Sequence, residues 1–161
     1  MIDANGYRPN VGIVICNRKG EVLWAKRAQR GGWQFPQGGI KQHETPEQAV
    51  LRELEEEVGL TGTDVKVLHR TRDWLHYRLP ARFIRREEPR CIGQKQVWFL
   101  LALEADDNKV ALDKNPKPEF DDWRWVNYWH PVKEVIKFKK DVYQKALQEL
   151  EQPLQDYLDG L

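Results

Sequence analysis

The chain has 161 residues, of which 40% are hydrophobic and 32% charged, and its net charge is only +1. This composition excludes a disordered chain, and the length predicts one folded domain over residues 1–161. No apolar run is long enough to span a membrane, and the first ten residues lack the basic and apolar regions of a secretory signal. Two cysteines are too few for a disulfide framework, so a reduced cytoplasm is the expected location.

The first part of the chain predicts three strands. Residues 7–17 end in a β-branched apolar run and predict a buried strand, in which Cys16 is a small core residue. Residues 21–27 follow a turn and predict the returning strand of a hairpin. A short strand over 33–36 then leads into Gly38 and Gly39, where the backbone can approach a ligand closely.

A helix is predicted from Pro46 to Val58. Thr45 can cap its start, Pro46 suits the first helical position, and Gln48 completes a capping box with Thr45. Gly59 is typical of the residue that ends a helix.

The period of 3.6 residues separates this helix into faces. Three residues, Val50, Leu54 and Val58, form one apolar stripe, and Leu51 beside them is also expected to face a core. The carboxylates of Glu53, Glu56 and Glu57 fall together on the neighbouring face, whereas Glu55 is directed towards solvent.

Three adjacent carboxylates repel one another unless cations neutralise them. Their hard oxygen ligands suit Mg²⁺ or Mn²⁺, ions that commonly also bind substrate phosphates. Arg52, at the edge of this face, can orient one glutamate through a charge-assisted hydrogen bond. The alternative from the residues alone is an acidic helix face that is simply solvated.

The remaining chain continues the mixed order of helices and strands. Strands are predicted over 65–71 and 74–78 as a pair, over 96–103 as the central strand, and over 122–126. Polar or basic loops are predicted over 81–93 and 105–118. A short helix is predicted over 130–136, and a longer one over 138–152 that Pro153 ends. This order indicates an α/β protein.

Charge is distributed unevenly along the chain. Between residues 65 and 95 basic side chains outnumber acidic ones nine to three, although the whole protein is nearly neutral. Together with an acidic helix face, this stretch suggests an anionic substrate that is larger than its reacting phosphate.

The helix and the glycines before it form one long pattern: Gly, five residues, Glu, seven residues, Arg-Glu-Leu, one residue, Glu-Glu, one residue, Gly-Leu. This pattern resembles the Nudix box at every specified position, namely Gly38, Glu44, Arg52, Glu53, Leu54, Glu56, Glu57, Gly59 and Leu60. The resemblance implies an α+β fold, with a mixed sheet sandwiched between helices. It also implies hydrolysis of a nucleoside diphosphate linked to another moiety.

The same resemblance implies roles for single residues. Divalent cations would be held by Glu53, Glu56 and Glu57, with a backbone carbonyl near Gln37 or Gly38 as a further ligand. Structural roles are expected for Gly38, Gly39, Glu44 and Gly59, and Arg52 is counted with the catalytic group.

Segments outside the box are similar to the branch of the family that removes pyrophosphate from the 5′ triphosphate of RNA. They are YRPNVGIVICN at the start, WQFPQGGI, CIGQKQ, PEFDDWRWV and FKKDVY. By this likeness Glu119 would be a metal ligand or water activator. Arg8, Arg27 and Lys139 would contact phosphate or base, and Phe138 would pack on a 5′ base.

Other interpretations stay open at this point. Without the resemblance, Arg8 and Glu119 are surface charges and Phe138 is a core residue. A dinucleoside polyphosphate is the main rival substrate, followed by nucleoside triphosphates of the free pool and by a binding module without catalysis. A monomer is expected, and no regulatory partner is identified.

Overall fold

The computed structural model describes all 161 residues, and its centre is an eight-stranded mixed sheet. The strands are β1 (Tyr7–Cys16), β2 (Val22–Arg27), β3 (Trp33–Gln34), β4 (Gln37–Gly39), β5 (Val65–Arg70), β6 (Leu75–Arg78), β7 (Gly93–Leu103) and β8 (Phe120–Val126). The long strands β1 and β7 lie parallel in the middle, and every other pair is antiparallel.

The edge of β1 that faces away from β7 is shared by two strands. β4 pairs with residues 10–12 of β1, and β2 pairs with it only at Cys16. β2 in turn pairs with β8 along its whole length and with β3 near its end. The glycines of β4 therefore lie beside the central strand pair.

The helices are α1 (Pro46–Val58), α2 (His130–Glu134) and α3 (Lys140–Asp159). α1 begins and ends as predicted. Thr45 and Gln48 form both hydrogen bonds of the capping box, and Gly59 adopts a left-handed conformation with φ of 74°. A side chain at Gly59 would also meet the backbone of Ala111, so glycine is required there for two reasons.

Two hydrophobic cores lie on the two faces of the sheet, because side chains alternate along each strand. On β1, Val11, Ile13 and Ile15 face α1, whereas Val14 and Cys16 face α3. Each fully buried aliphatic side chain of this kind contributes about 1.5–3 kcal/mol. The predicted sandwich of a mixed sheet between helices is confirmed.

The prediction that the strands over 65–71 and 74–78 pair with each other is wrong. β5 and β6 both pair with β7, which is long enough to take β6 along its first four residues and β5 along its last five. Thr71 fills the position between them, since its N–H donates to the Trp98 carbonyl at 2.8 Å and its hydroxyl accepts from the Trp98 N–H at 3.0 Å. β7 therefore provides the backbone hydrogen-bond partners of both β5 and β6.

Leu51 does not face a core as predicted, because its side chain is 39% exposed. α1 is rotated so that Glu53 and Ala49 join Val50 and Leu54 on the buried side. The helix therefore buries the carboxylate of Glu53 and leaves the side chain of Leu51 partly exposed to solvent.

Pro153 does not end the last helix as predicted. α3 begins at Lys140, after a 3-10 turn over Lys137–Lys139, and passes through Pro153 to Asp159. Leu154 beyond the proline is only 5% exposed, and Tyr157 and Leu158 pack against the same core. This additional burial compensates for the backbone hydrogen bond that proline cannot donate. None of the helices is both long and apolar enough to cross a membrane.

We expect Pro153→Ala to stabilise the protein. Alanine restores the missing N–H donor and removes the ring, although it also makes the unfolded chain more flexible. The expected gain is about 1–3 kcal/mol, or roughly 3–10 °C in Tm for a chain of this size. Thermal unfolding followed by circular dichroism measures it. Gln148→Ala, an exposed substitution in the same helix, is the control, and a loss of stability in Pro153→Ala would contradict the explanation.

Candidate active site

α1 presents an acidic cluster towards β4. Glu53, Glu56 and Glu57 each offer a carboxylate oxygen, and these three atoms lie within 4.8 Å of one another. The side chains differ in exposure, since Glu53 is buried, Glu57 is half-buried and Glu56 is exposed. The structure thus brings together the three glutamates predicted from the helical period, and their solvent exposure increases from Glu53 through Glu57 to Glu56.

Gly38 makes room for the most buried of these carboxylates. A Cβ atom at position 38 would lie 2.0 Å from the carboxyl carbon of Glu53, which no side chain allows. Gly39 is different, because a Cβ atom there would meet nothing within 4 Å. The close approach of β4 to α1 therefore depends on the first glycine of the pair.

Arg52 binds the loop, β4 and the acidic cluster at once. Its Nε and Nη2 atoms donate to both carboxylate oxygens of Glu44, at 2.8 and 2.9 Å. Nη2 also donates to the Gly39 carbonyl at 2.8 Å, and Nη1 donates to Glu53 at 2.7 Å and to Glu56 at 3.4 Å. Its guanidinium therefore fixes the orientation of Glu53, as the sequence predicted.

Electrostatics make the cluster suitable for a cation. Burial, followed by repulsion from Glu53, Glu119 and Glu56, raises the pKa of Glu57 to about 7, and one of its buried oxygens has no hydrogen-bond partner. Burial also raises the pKa of Glu53, against the opposing effect of Arg52. A divalent cation would satisfy the unpaired oxygen and relieve the repulsion, so these residues fit one.

The backbone of β4 directs further acceptors to the same place. Pro36 accepts from the Ile13 N–H and Ile40 donates to Pro9, so alternate residues of this segment are bonded to β1. Gln37 and Gly39 therefore direct their carbonyls away from β1, and that of Gly39 accepts from Arg52. This geometry favours the Gln37 carbonyl over that of Gly38 as an additional ligand.

A buried cation lies on the opposite side of β4. Lys139 is 7% exposed, and its ammonium donates to the side-chain oxygens of Gln34 at 3.1 Å and Gln37 at 3.3 Å. It also lies 5.6 Å from the ring centre of Tyr77. Burial and the repulsion of Arg27 lower the pKa of Lys139 to about 8. An anion that reached this ammonium would gain a strong interaction, because its present partners are neutral.

Phe138 lies beside this lysine, half-buried, with its ring centre 5.7 Å from that of Tyr77. Arg8 is exposed on β1, in register with Gln94 of β7, which is in register with Tyr77. Registered residues of neighbouring strands share a face, so Arg8 and Phe138 lie on the same side of the sheet.

Arg27 and Glu119 line a shallow pocket together with Gln29 and Arg30. The Glu119 carbonyl accepts from the N–H of Ala28 at 2.9 Å, which fixes the segment before β8 to the end of β2. The Glu119 carboxylate is exposed, and its charge helps to raise the pKa of Glu57, so it is close enough to the acidic cluster to interact electrostatically with it. The acidic cluster and Lys139 therefore lie on opposite sides of β4, whereas Gly59 lies away from it at the end of α1, beside Ala111.

Sequence reasoning missed a buried polar network on the Lys139 side of β4. Gln96 donates to Asn10 at 2.8 Å and to Gln37 at 3.3 Å, and Gln37 donates to the Tyr77 hydroxyl at 3.3 Å. Buried side-chain oxygens of Gln94 and Gln96 have no hydrogen-bond partner. The signal in the sequence was the polar Gln94 and Gln96 at the start of an otherwise apolar central strand.

Comparisons with known proteins agree with this geometry. The family model described as NUDIX domain matches residues 6–150. The chain is 61% identical over 151 residues to a protein of Alkalilimnicola ehrlichii named RNA pyrophosphohydrolase, covering 93% of this chain and 83% of that one. It is 61% identical over 155 residues to a protein of Halorhodospira halophila with the same name, covering 96% and 86%. The solved dihydroneopterin triphosphate pyrophosphohydrolase of E. coli shares the fold, with a TM-score of 0.69 and 18% identity over 89% of this chain and 98% of that one.

We expect Gly38→Ala to weaken binding of Mn²⁺ roughly 10- to 100-fold, because the new methyl group displaces the Glu53 carboxylate. Gly39→Ala is the matched control, since its methyl group points into open space. Titration of free Mn²⁺ followed by electron paramagnetic resonance compares the two variants. Equal Mn²⁺ affinity in both would show that Glu53 does not depend on this glycine.

Glu44→Gln is expected to lower Tm at neutral pH, because it removes one charged partner of Arg52, an interaction of about 1–3 kcal/mol. The Arg52 hydrogen bond lowers the pKa of Glu44 to about 2 from the ordinary 4.5. Ionised Glu44 therefore stabilises the fold above pH 4.5, and this contribution is lost as pH falls towards 2.

The difference in Tm between wild type and Glu44→Gln should consequently shrink across that pH window. Thermal unfolding at several pH values measures the difference, and Glu55→Gln, which removes an exposed carboxylate of α1 without an ion pair, is the charge control. A difference that does not vary with pH would mean that the ion pair does not stabilise the fold.

Proposed function

The chain belongs to the Nudix family, and from this premise we propose that it removes pyrophosphate from the 5′-triphosphate end of RNA and leaves a 5′-monophosphate. The observation that carries the proposal is the arrangement around β4. An acidic cluster lies on one side of this strand, and on the other side a buried ammonium beside an aromatic ring donates to Gln37 of the strand. The names of the two relatives at 61% identity support the same substrate.

The acidic side would hold Mg²⁺ or Mn²⁺ through Glu53, Glu56 and Glu57, with Glu119 and the Gln37 carbonyl completing the ligands. When bound, such cations neutralise phosphate oxygens and make a water molecule more acidic. Arg52 takes part by fixing the direction of Glu53 rather than by touching substrate, because its donors are already engaged.

The reaction adds the oxygen of one water molecule to phosphorus and breaks the anhydride bond between the α and β phosphates. Pyrophosphate leaves with the electron pair of that bond, and the proton of the water passes to a carboxylate of the site and then to solvent. Glu119 suits this proton transfer best, since it is the exposed carboxylate outside the helix that adjoins Glu57.

The cationic and aromatic side would bind the substrate. Arg27 and Lys139 would hold the phosphates that are being cleaved, and Lys139 would exchange its neutral partners for an anionic one. The Phe138 ring would support a base, and Arg8 would meet a later phosphate on the same face. The RNA product with a 5′ monophosphate would then enter decay, and the enzyme would act as a monomer in the cytoplasm.

A dinucleoside polyphosphate is the second candidate, because its phosphate chain would satisfy the metal side and Lys139 equally well. The basic residues between 65 and 95 favour RNA, since only RNA brings further phosphates to them. Free nucleoside triphosphates are disfavoured for the same reason. A binding module without catalysis is disfavoured because all box glutamates are present.

A direct comparison of substrates tests the proposal. We expect kcat/KM for 5′-triphosphorylated RNA of several nucleotides to exceed that for diadenosine tetraphosphate and for ATP, each in Mg²⁺ and in Mn²⁺. Chromatography of the products should show pyrophosphate together with 5′-monophosphorylated RNA. A preference for diadenosine tetraphosphate would assign the site to dinucleoside polyphosphates.

Glu57→Gln should abolish most of kcat while leaving the fold intact. The substitution keeps the size of the side chain but removes a negative ligand from the cluster. In metal-free protein Tm should stay equal or rise, because repulsion and the burial of a charge are both relieved. Glu55→Gln, on the solvent side of the same helix, is the matched control. Near-normal kcat in Glu57→Gln would remove this residue from the catalytic group.

A further inference from the structure

A row of aromatic rings extends outwards from the buried lysine. The ring centres of Tyr77 and Phe138 are 5.7 Å apart, and those of Phe138 and Phe83 are 6.1 Å apart. Exposure increases along the row, from 6% at Tyr77 to 48% at Phe83. The guanidinium of Arg82 lies over the outer ring, 4.6 Å from its centre. The row thus begins at the Lys139 ammonium and ends at an arginine.

Phe83 is held in place although it is exposed. It closes a 3-10 turn over Ala81–Phe83, in which its N–H donates to the Pro80 carbonyl at 2.9 Å. The turn is anchored where Leu79 donates to the carbonyl of Ile92 at 2.8 Å. A large apolar ring fixed in this way, next to water, is a surface on which a flat ligand can stack.

The segment after this turn carries cations that the protein itself does not neutralise. Arg85 and Arg86 form no ion pair, and Arg90 has only a long contact of 3.9 Å with Glu88. Arg82 also lacks an acidic partner and is engaged with the Phe83 ring alone. Exposed rings interleaved with free guanidinium groups are the surface that single-stranded RNA recognises.

We infer that Phe83 and Arg82 form a second stacking site, which takes the base of a nucleotide on the 3′ side of the base held by Phe138. The inference rests on the proposed function, because it places the 5′ end of the same RNA at the acidic cluster. Arg85 and Arg86 contact the phosphates that follow. Single-stranded RNA of at least three nucleotides is the ligand that uses both rings and these arginines, whereas a dinucleoside polyphosphate supplies no phosphates on the 3′ side of a second stacked base.

An abasic scan tests this assignment. A 5′-triphosphorylated hexanucleotide with a non-hydrolysable triphosphate and a 3′ fluorophore is made with one abasic position, which moves from nucleotide 1 to nucleotide 5. Fluorescence anisotropy gives the Kd of each RNA for wild type, Phe138→Ala, Phe83→Ala and Phe83→Trp. Val67→Ala is the matched control, because Val67 is an apolar side chain of similar exposure, 49%, on β5.

We expect Phe83→Ala to raise Kd roughly 5- to 150-fold for the intact RNA. This effect should vanish when one particular nucleotide is abasic, and that nucleotide should lie 3′ of the one that cancels the effect of Phe138→Ala. Phe83→Trp should restore the affinity, and Val67→Ala should leave it unchanged. A Phe83→Ala effect that is absent, or equal for every abasic RNA, overturns the inference.

The same hexanucleotide with an ordinary triphosphate separates this result from the proposed function. Release of pyrophosphate without any base-specific effect of Phe83 overturns the inference and leaves the proposed function standing. A base-specific effect of Phe83 without release of pyrophosphate supports the stacking site and overturns the proposed reaction.

Discussion

The site depends on one arginine that stabilises a group of like charges. Arg52 pairs with Glu44 in a bidentate contact, reaches the carbonyl of Gly39 and still donates to Glu53. Without Arg52, the carboxylates of α1 would face β4 with no hydrogen bond to fix their orientation. Arg52 belongs to α1, whereas Glu44 belongs to the loop and Gly39 to β4, so the side chain that orients Glu53 also attaches the helix to the sheet. Stability and function therefore share one guanidinium group.

β4 separates two chemically different surfaces with only three residues. Gly38 leaves space for Glu53 on the side of α1, while Gln37 next to it directs its side chain to Lys139 and Tyr77 on the side of α3. Alternation along a strand produces this division directly. One surface is anionic and suits cations, and the other is cationic and aromatic and suits nucleotides. A phosphate chain that crosses the strand would interact with both.

The parts of the structure that follow from local rules were predictable from the sequence. The helical period placed Glu53, Glu56 and Glu57 together, and the capping residues fixed both ends of α1. The failures concern interactions between distant segments. The length of β7 decides that β5 and β6 pair with it, and the packing of Leu154 decides that α3 continues past Pro153. The sequence predicted only that Phe83 lies in a loop, and it is the fold that places its ring beside that of Phe138.

The parallel pairing of β1 and β7 has a consequence for the order in which the protein forms. Tyr7 pairs with Gly93 and Cys16 with Ala102, so the central pair joins segments that are far apart along the chain. During synthesis from the amino terminus, β1 is complete long before its partner leaves the ribosome. The edge of β1 that will bind β7 stays unpaired while β4 and α1 are made. The entropy cost of closing the long loop between β1 and β7 must be met before their pairing can stabilise the chain. Until β7 is made, this edge of β1 is consequently available for non-native pairing.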